Sequence, residues 1–230
     1  MKFLYTNLET CHEATGVVVV IDVLRAFSNA AYAFSRGAKE IYPVGSVEEA
    51  LKFKAETPNV LAAGEVGGLP PEGFDFGNSP TQTKELDLTG KVIVQSTGAG
   101  TKGIVRSVKA ETMFAVSFVV ASATVKLIQK FAPETVTFVI TGQYRAGHGD
   151  EDVSCAEYLE QLFEGGQPDP APFTERVFQS RDAIQHIDPN LPEFPLSDLD
   201  LCTAIDSFDF AMLVIKENGR HVMRAINPQT

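Results

Sequence analysis

Short apolar, β-branched runs return along this chain between segments with helical spacing, and that alternation limits the fold more than any other feature. The runs are Val17 to Ile21, Ile41 to Val44, Val60 to Ala63, Val92 to Val94, Met113 to Val116 and Val136 to Ile140. Their continuous apolar character suits strands buried on both faces, so the pattern predicts an α/β fold with a largely parallel sheet covered by helices on either side. Helix starts are legible as well. Ser46 and Glu49 have capping-box spacing ahead of a stretch to Lys54, and Glu151 with Asp152 place acid in the first turn of a helix running to about Phe163.

The C-terminal part changes character, with Pro168, Pro170 and Pro172 in a connection, a helical stretch from Phe173 to Gln185, and a loop through Pro195. Val214 to Lys216 and Val222 to Ala225 flank Asn218-Gly219, a dipeptide preferred in tight turns with positive φ, which predicts a C-terminal hairpin. With 230 residues and 44% hydrophobic content the chain can bury one large core. The tail is expected to pack on the main sheet, making residues 1–230 one domain.

The 30 acids against 19 bases give a net charge of -11, and the bases are scattered, which disfavours nucleic-acid or anionic-membrane partners. Cys11, Cys155 and Cys202 are odd in number and lack zinc-site spacing. Val17 to Ile21 is too short to span a bilayer, and Met1 to Tyr5 runs into the polar stretch Thr6 to Thr15 without a signal-peptide pattern, so a cytoplasmic location is expected.

Ligands of open α/β sheets bind beyond the carboxyl ends of the strands, and four such places carry suggestive chemistry. Asp22 and Arg25 follow the first run; they suit a hard cation and an oxyanion, or else a helix cap and a surface base. The loop 64–80 holds five glycines and three prolines. In it Glu65 is a candidate metal ligand, whereas Asp75 and Asn78 serve equally well as turn-formers. Thr97-Gly98-Ala99-Gly100-Thr101 leads into a helix start, where free N–H groups and the helix dipole attract an anion. Its literal G-x-G-x-x-G match lacks the acid a dinucleotide ribose needs, and the P-loop pattern fails because Lys102 follows the hydroxyl residue. Lys102 itself reads as solvent-facing. Finally, the loop 142–152 carries Arg145 as a second anion contact, His148 as a solvated loop histidine, and the acids Asp150, Glu151 and Asp152, which could hold magnesium or merely complement a helix dipole.

Taken together, Val20-Ile21-Asp22-Val23-Leu24-Arg25-Ala26, the Gly64-Glu65 loop ending Gly73-Phe74-Asp75-Phe76-Gly77-Asn78-Ser79-Pro80, the Thr97 to Thr101 turn and Glu151-Asp152 resemble the 2-phosphosulfolactate phosphatase family. Asp198 to Phe210 resembles the tail of some members. The resemblance implies a three-layer α/β/α fold, a magnesium cofactor, and hydrolysis of 2-phospho-3-sulfolactate on the route to coenzyme M. The mechanism read with it takes Asp22, Arg25 and Glu65 as catalytic, puts the metal on a subset of Asp22, Glu65 and Asp152, and gives substrate contacts to Arg25, Asn78, Thr97, Gly98, Ala99, Gly100, Thr101 and Arg145. The chain departs from the family pattern at Thr97-Gly98-Ala99-Gly100-Thr101, where many members have Thr-Thr-Asn-Gly-Thr, and at Ser117-Phe118-Val119-Val120-Ala121, where they often have Ser-Phe-x-Asn-Ala. A homodimer is compatible with it. Either a water activated by the metal or Asp22 itself could attack phosphorus. Two rivals stand beside this reading: an isochorismatase-type cysteine hydrolase with Cys155 as nucleophile, and a non-catalytic binder of an anionic metabolite.

Overall fold

A computed structural model describes residues 1–142 and 148–229. The elements run β1 (Lys2–Asn7), β2 (Gly16–Ile21), α1 (Ala26–Ser35), β3 (Glu40–Pro43), α2 (Val47–Glu56), β4 (Val60–Gly64), α3 (Pro80–Thr83), β5 (Val92–Ser96), α4 (Gly100–Arg106) and β6 (Ala110–Val116). Then follow α5 (Ala121–Lys130), β7 (Thr135–Ile140), α6 (Asp150–Phe163), α7 (Ala171–Gln179), α8 (Ser197–Cys202), β8 (Ala211–Glu217) and β9 (Arg220–Ile226). Each predicted run lies in a strand except for Val44, one residue past the end of β3. Every residue from Val17 to Ile21 is buried, and because successive side chains point to opposite faces, both faces of the sheet are covered there.

Two expectations need correction. The predicted strand runs leave out Lys2–Asn7, which forms β1, an edge strand paired in parallel with β7. The predicted helix from Phe173 to Gln185 is shorter and starts earlier, as α7, and is followed by a separate 3-10 turn at Ile184–Ile187. The cap of α2 is close to the expected box: Glu49 N–H donates to Ser46 Oγ at 3.2 Å, but the Glu49 carboxylate accepts from the N–H of Gly45 rather than of Ser46.

Among the described residues the strands form one nine-stranded sheet in the order β1-β7-β2-β6-β8-β9-β3-β5-β4. The C-terminal hairpin does not lie on the sheet but completes it. β8 pairs antiparallel with β6, and β9 pairs antiparallel with both β8 and β3. Asn218 and Gly219 sit at φ of 50° and 80°, the turn conformation the dipeptide favours. Three antiparallel steps leave β3-β5-β4 running opposite to β1-β7-β2-β6. A twist of roughly 20–25° per strand accumulates to about 100–125° between β2 and β5, which turns the carboxyl ends of the two groups toward each other. Gly64 shows how closely β4 and β5 are held at that end, since a Cβ there would come within 1.8 Å of the Ser96 carbonyl oxygen.

Candidate active site

The carboxyl ends of β2, β4, β5 and β7 open onto a cavity of about 620 Å³. Asp22, Glu65, Glu151, Asp152, Arg25, Asn78 and the turn 97–99 all border it, and so do three residues the sequence reading did not place there: Lys102, His148 and Asp182. Arg145 lies outside the described residues.

Asp22 is buried at the end of β2, where its Oδ1 accepts the N–H of Ala26 at 2.9 Å in the opening turn of α1. Burial raises its pKa to about 6, with the negative charges of Glu65 and Asp182 adding to the rise against the N–H groups of Ala26 and Gly100. Asp152 is buried in the first turn of α6 and ties two strand ends together. Its Oδ1 accepts from Val23 N–H at 2.8 Å, and its Oδ2 from Gly142 N–H at 2.9 Å and the Thr141 hydroxyl at 3.2 Å. Even so, burial and then the nearby Asp22 hold its carboxyl well above the usual range. Glu151 is raised to about 10 by burial first, then by Asp152, Asp182 and Asp22, and among the described residues its buried Oε2 has no partner. Three buried acids that push one another toward protonation form a site deficient in positive charge.

Glu65 straps the loop after β4 to the turn after β5. Its Oε1 accepts from Gly98 N–H at 2.6 Å and its Oε2 from Gly68 N–H at 2.8 Å. Thr97 and Thr101 close the same turn on each other, with the N–H of each donating to the other's hydroxyl at 2.9 and 3.2 Å. Carboxylates therefore occupy donors that the sequence suggested for an anion. At Gly100 an added Cβ would lie 2.7 Å from Asp22 Oδ2 and 2.8 Å from Ala26 Cβ, so glycine is required here to let Asp22 approach the turn.

Arg25 is buried and largely engaged: Nη1 donates to Asp198 Oδ2 at 2.7 Å and to the Glu193 carbonyl at 2.8 Å, and the guanidinium lies 4.5 Å from the Phe194 ring centroid. Among the described residues Nε and Nη2 make no hydrogen bond, which leaves them as donors toward the cavity. Asp198 also accepts from Ser79 Oγ and Thr81 N–H at 2.9 and 2.8 Å, so the loop 79–81 and the tail segment 193–198 are locked to one arginine. Asn78, next to that loop in sequence, is buried on the cavity wall with Oδ1 unpartnered among the described residues. Asp75 faces elsewhere; its carboxylate accepts from Ala62 N–H and pairs with Lys54, both at 2.7 Å.

Lys102 borders the cavity half-buried instead of facing solvent, a correction that follows from α4 leaning over β2: the space a Cβ at Gly103 would need is only 2.6 Å from Val20 Cγ1. His148 is likewise no solvated loop residue. It lies half-buried on the cavity wall with Nδ1 2.7 Å from Asp182 Oδ1. No local motif marks Asp182, which lies beyond α7 in a stretch that read as helix.

Cys155 is fully buried inside α6, and burial pushes its thiol well up, the opposite of an activated nucleophile. Cys155→Ala is expected to keep turnover within about threefold in a phosphate-release assay, whereas loss of a covalent nucleophile costs on the order of a thousandfold or more. Among the described residues no helix is long and apolar enough to cross a membrane.

Fold and site together define an α/β protein with an acid-rich strand-end cavity that also presents a lysine and part of an arginine fork. The chain belongs to the 2-phosphosulpholactate phosphatase family, whose model matches residues 4–217. A probable 2-phosphosulfolactate phosphatase of Bacillus subtilis (strain 168) is 34% identical over 202 residues, 87% of each chain. Proteins of the same description are 39% identical in Caldicellulosiruptor saccharolyticus, over 66% of this chain and 64% of that one, and 35% identical in Thermotoga petrophila, over 70% and 69%.

Proposed function

We propose that this chain is a magnesium-dependent phosphatase that hydrolyses 2-phospho-3-sulfolactate to sulfolactate and phosphate. The family and its relatives' names support the substrate. The observation that carries the cation is the burial of Asp22, Glu151 and Asp152 around one cavity, with Glu151 Oε2 and Asn78 Oδ1 left, among the described residues, as buried, unpartnered oxygens. Among the described residues no three acidic, histidine or cysteine side chains form a ready-made ligand group. Magnesium does not require one: it takes one or two carboxylates and keeps several waters, so hard oxygens of this kind suit it.

A subset of Asp22, Glu65 and Asp152 would hold the ion, which when bound supplies Lewis-acid polarisation of a phosphoryl oxygen. The protein's own part is binding and orientation. Arg25 Nε and Nη2, Lys102 and the N–H of Ala99, the one in the turn 98–101 that among the described residues is not engaged by Glu65, Asp22 or Thr97, offer donors to a compact, multiply charged acid, and Asn78 adds an amide on the cavity wall. Fixing Arg25 through Asp198 keeps its fork pre-aimed, so little order is lost on binding.

Steady-state phosphate release from 2-phospho-3-sulfolactate tests this reading. Turnover is expected with magnesium, at least about a hundredfold less in EDTA, and recovery on readdition. No release in either condition would sink the function, and release indifferent to EDTA would remove the metal from it.

A further inference from the structure

The His148–Asp182 pair is not accounted for by cation or phosphate binding, and its placement suggests proton transfer. His148 borders the cavity, its side chain 22% exposed, while Asp182, also on the cavity wall, holds Nδ1 with one carboxylate oxygen and accepts the N–H of Gly149 at 3.3 Å with the other. With both oxygens committed, Asp182 is a fixed brace, and among the described residues the ring nitrogen left for a ligand is Nε2. The brace also stands close to the acids, because its charge bears on both Asp22 and Glu151.

We propose that His148 is the general acid that protonates the leaving oxygen of the ester, with Asp182 as its positioning residue. The inference rests on the phosphatase reading above. An alkoxide is a poor leaving group, so hydrolysis of an alkyl phosphate needs a proton delivered as the ester bond breaks, and a positioned histidine is the commonest donor. In the step, the phosphorus bond to the attacking water oxygen forms while the bond to the ester oxygen breaks. The proton on Nε2 moves to that departing oxygen, giving the alcohol. The proton shed by the water passes to solvent, from which the imidazole is reprotonated. Asp22, Glu65 and Asp152 are tied to backbone N–H groups, Glu151 Oε2 has no partner among the described residues to orient a proton, and Lys102 and Arg25 are suited to holding anions, which leaves His148 as the group whose transferable proton is braced.

The test compares the oxygen ester with its bridging phosphorothiolate, in which sulfur replaces the ester oxygen and every recognition group is kept. A thiolate leaves without a proton, since thiol pKa values lie near about 8.5. With saturating magnesium, His148→Gln is expected to lose about 10²- to 10⁴-fold in kcat on the oxygen ester, and less than about tenfold on the sulfur ester. Asp182→Asn should show the same contrast at smaller amplitude. Activity on the sulfur ester also proves that the variants are folded. Equal losses on both esters, or no loss on the oxygen ester, would overturn the assignment while leaving the phosphatase reading intact. A parent protein inactive on both esters would instead remove the phosphatase reading and the inference with it.

Discussion

Asp22→Asn is expected to reduce magnesium-dependent phosphate release on the order of 10³-fold while the melting temperature at pH 7 stays within about 3 °C of the parent. The two halves of this result have one cause. The Asp22 carboxylate supplies charge to the cavity, and asparagine removes that charge but keeps an Oδ1 to accept the N–H of Ala26, so the opening turn of α1 is preserved. What is lost structurally is the interaction with the Gly100 N–H, worth about 1 kcal/mol. It is offset by no longer burying a carboxyl among other acids. Turnover and calorimetric melting measured on one preparation check both halves, and wild-type turnover would take Asp22 out of the mechanism.

The second large effect is on stability against pH in the metal-free protein. Asp22 and Glu151 are raised in the folded state, from 3.8 to about 6 and from 4.5 to about 10. A group whose folded pKa is raised contributes stability that is complete below its unfolded value and lost as pH rises toward the folded one. Across pH 4 to 6 both groups act, and from 6 to 10 Glu151 continues alone among these two. Each proton that the folded state retains and the unfolded state has released lowers stability by about 1.4 kcal/mol per pH unit. In EDTA the melting temperature should therefore fall steadily from pH 5 to pH 9, and Glu151→Gln, which cannot ionise, should flatten the decline. At pH 8 that variant should melt above its parent by roughly 2–4 °C for each kcal/mol recovered, and at pH 4, below the unfolded value of 4.5, the two should nearly coincide. A variant less stable by the same amount at both pH values would show that the Glu151 carboxyl is not under this strain.

Much of the site was readable because its members follow strands directly. Asp22 comes right after an apolar run that can only be a buried strand, Glu65 follows the run ending at Ala63, and the Thr97 to Thr101 turn stands between a strand and a helix start. Position relative to the strand end carried that information, and the strand end is a local property. Lys102 and His148 escaped the same reasoning because exposure is not local: whether a first-turn lysine meets solvent or a cavity depends on how far α4 leans over β2, which the contact of Gly103 with Val20 decides. Asp182 carried no signal, since a lone acid beyond α7 becomes significant only when the chain returns it to within 2.7 Å of His148.

By itself the sequence determined the alternation of strands and helices, the α2 cap, the hairpin turn at Asn218-Gly219 and the family, because each depends on periodicity, short-range hydrogen bonding or a motif of adjacent residues. Tertiary structure alone decided that the hairpin enters the middle of the sheet, where β8 and β9 join two strand groups running in opposite directions. It also decided that Glu151 and Asp152, adjacent acids that could both have remained on the solvated start of a helix, are buried together against Asp22. The reason is physical. A helix dipole attracts acids to its first turn wherever that turn lies, but their desolvation and mutual repulsion arise only when strands distant in sequence bring their ends to one place.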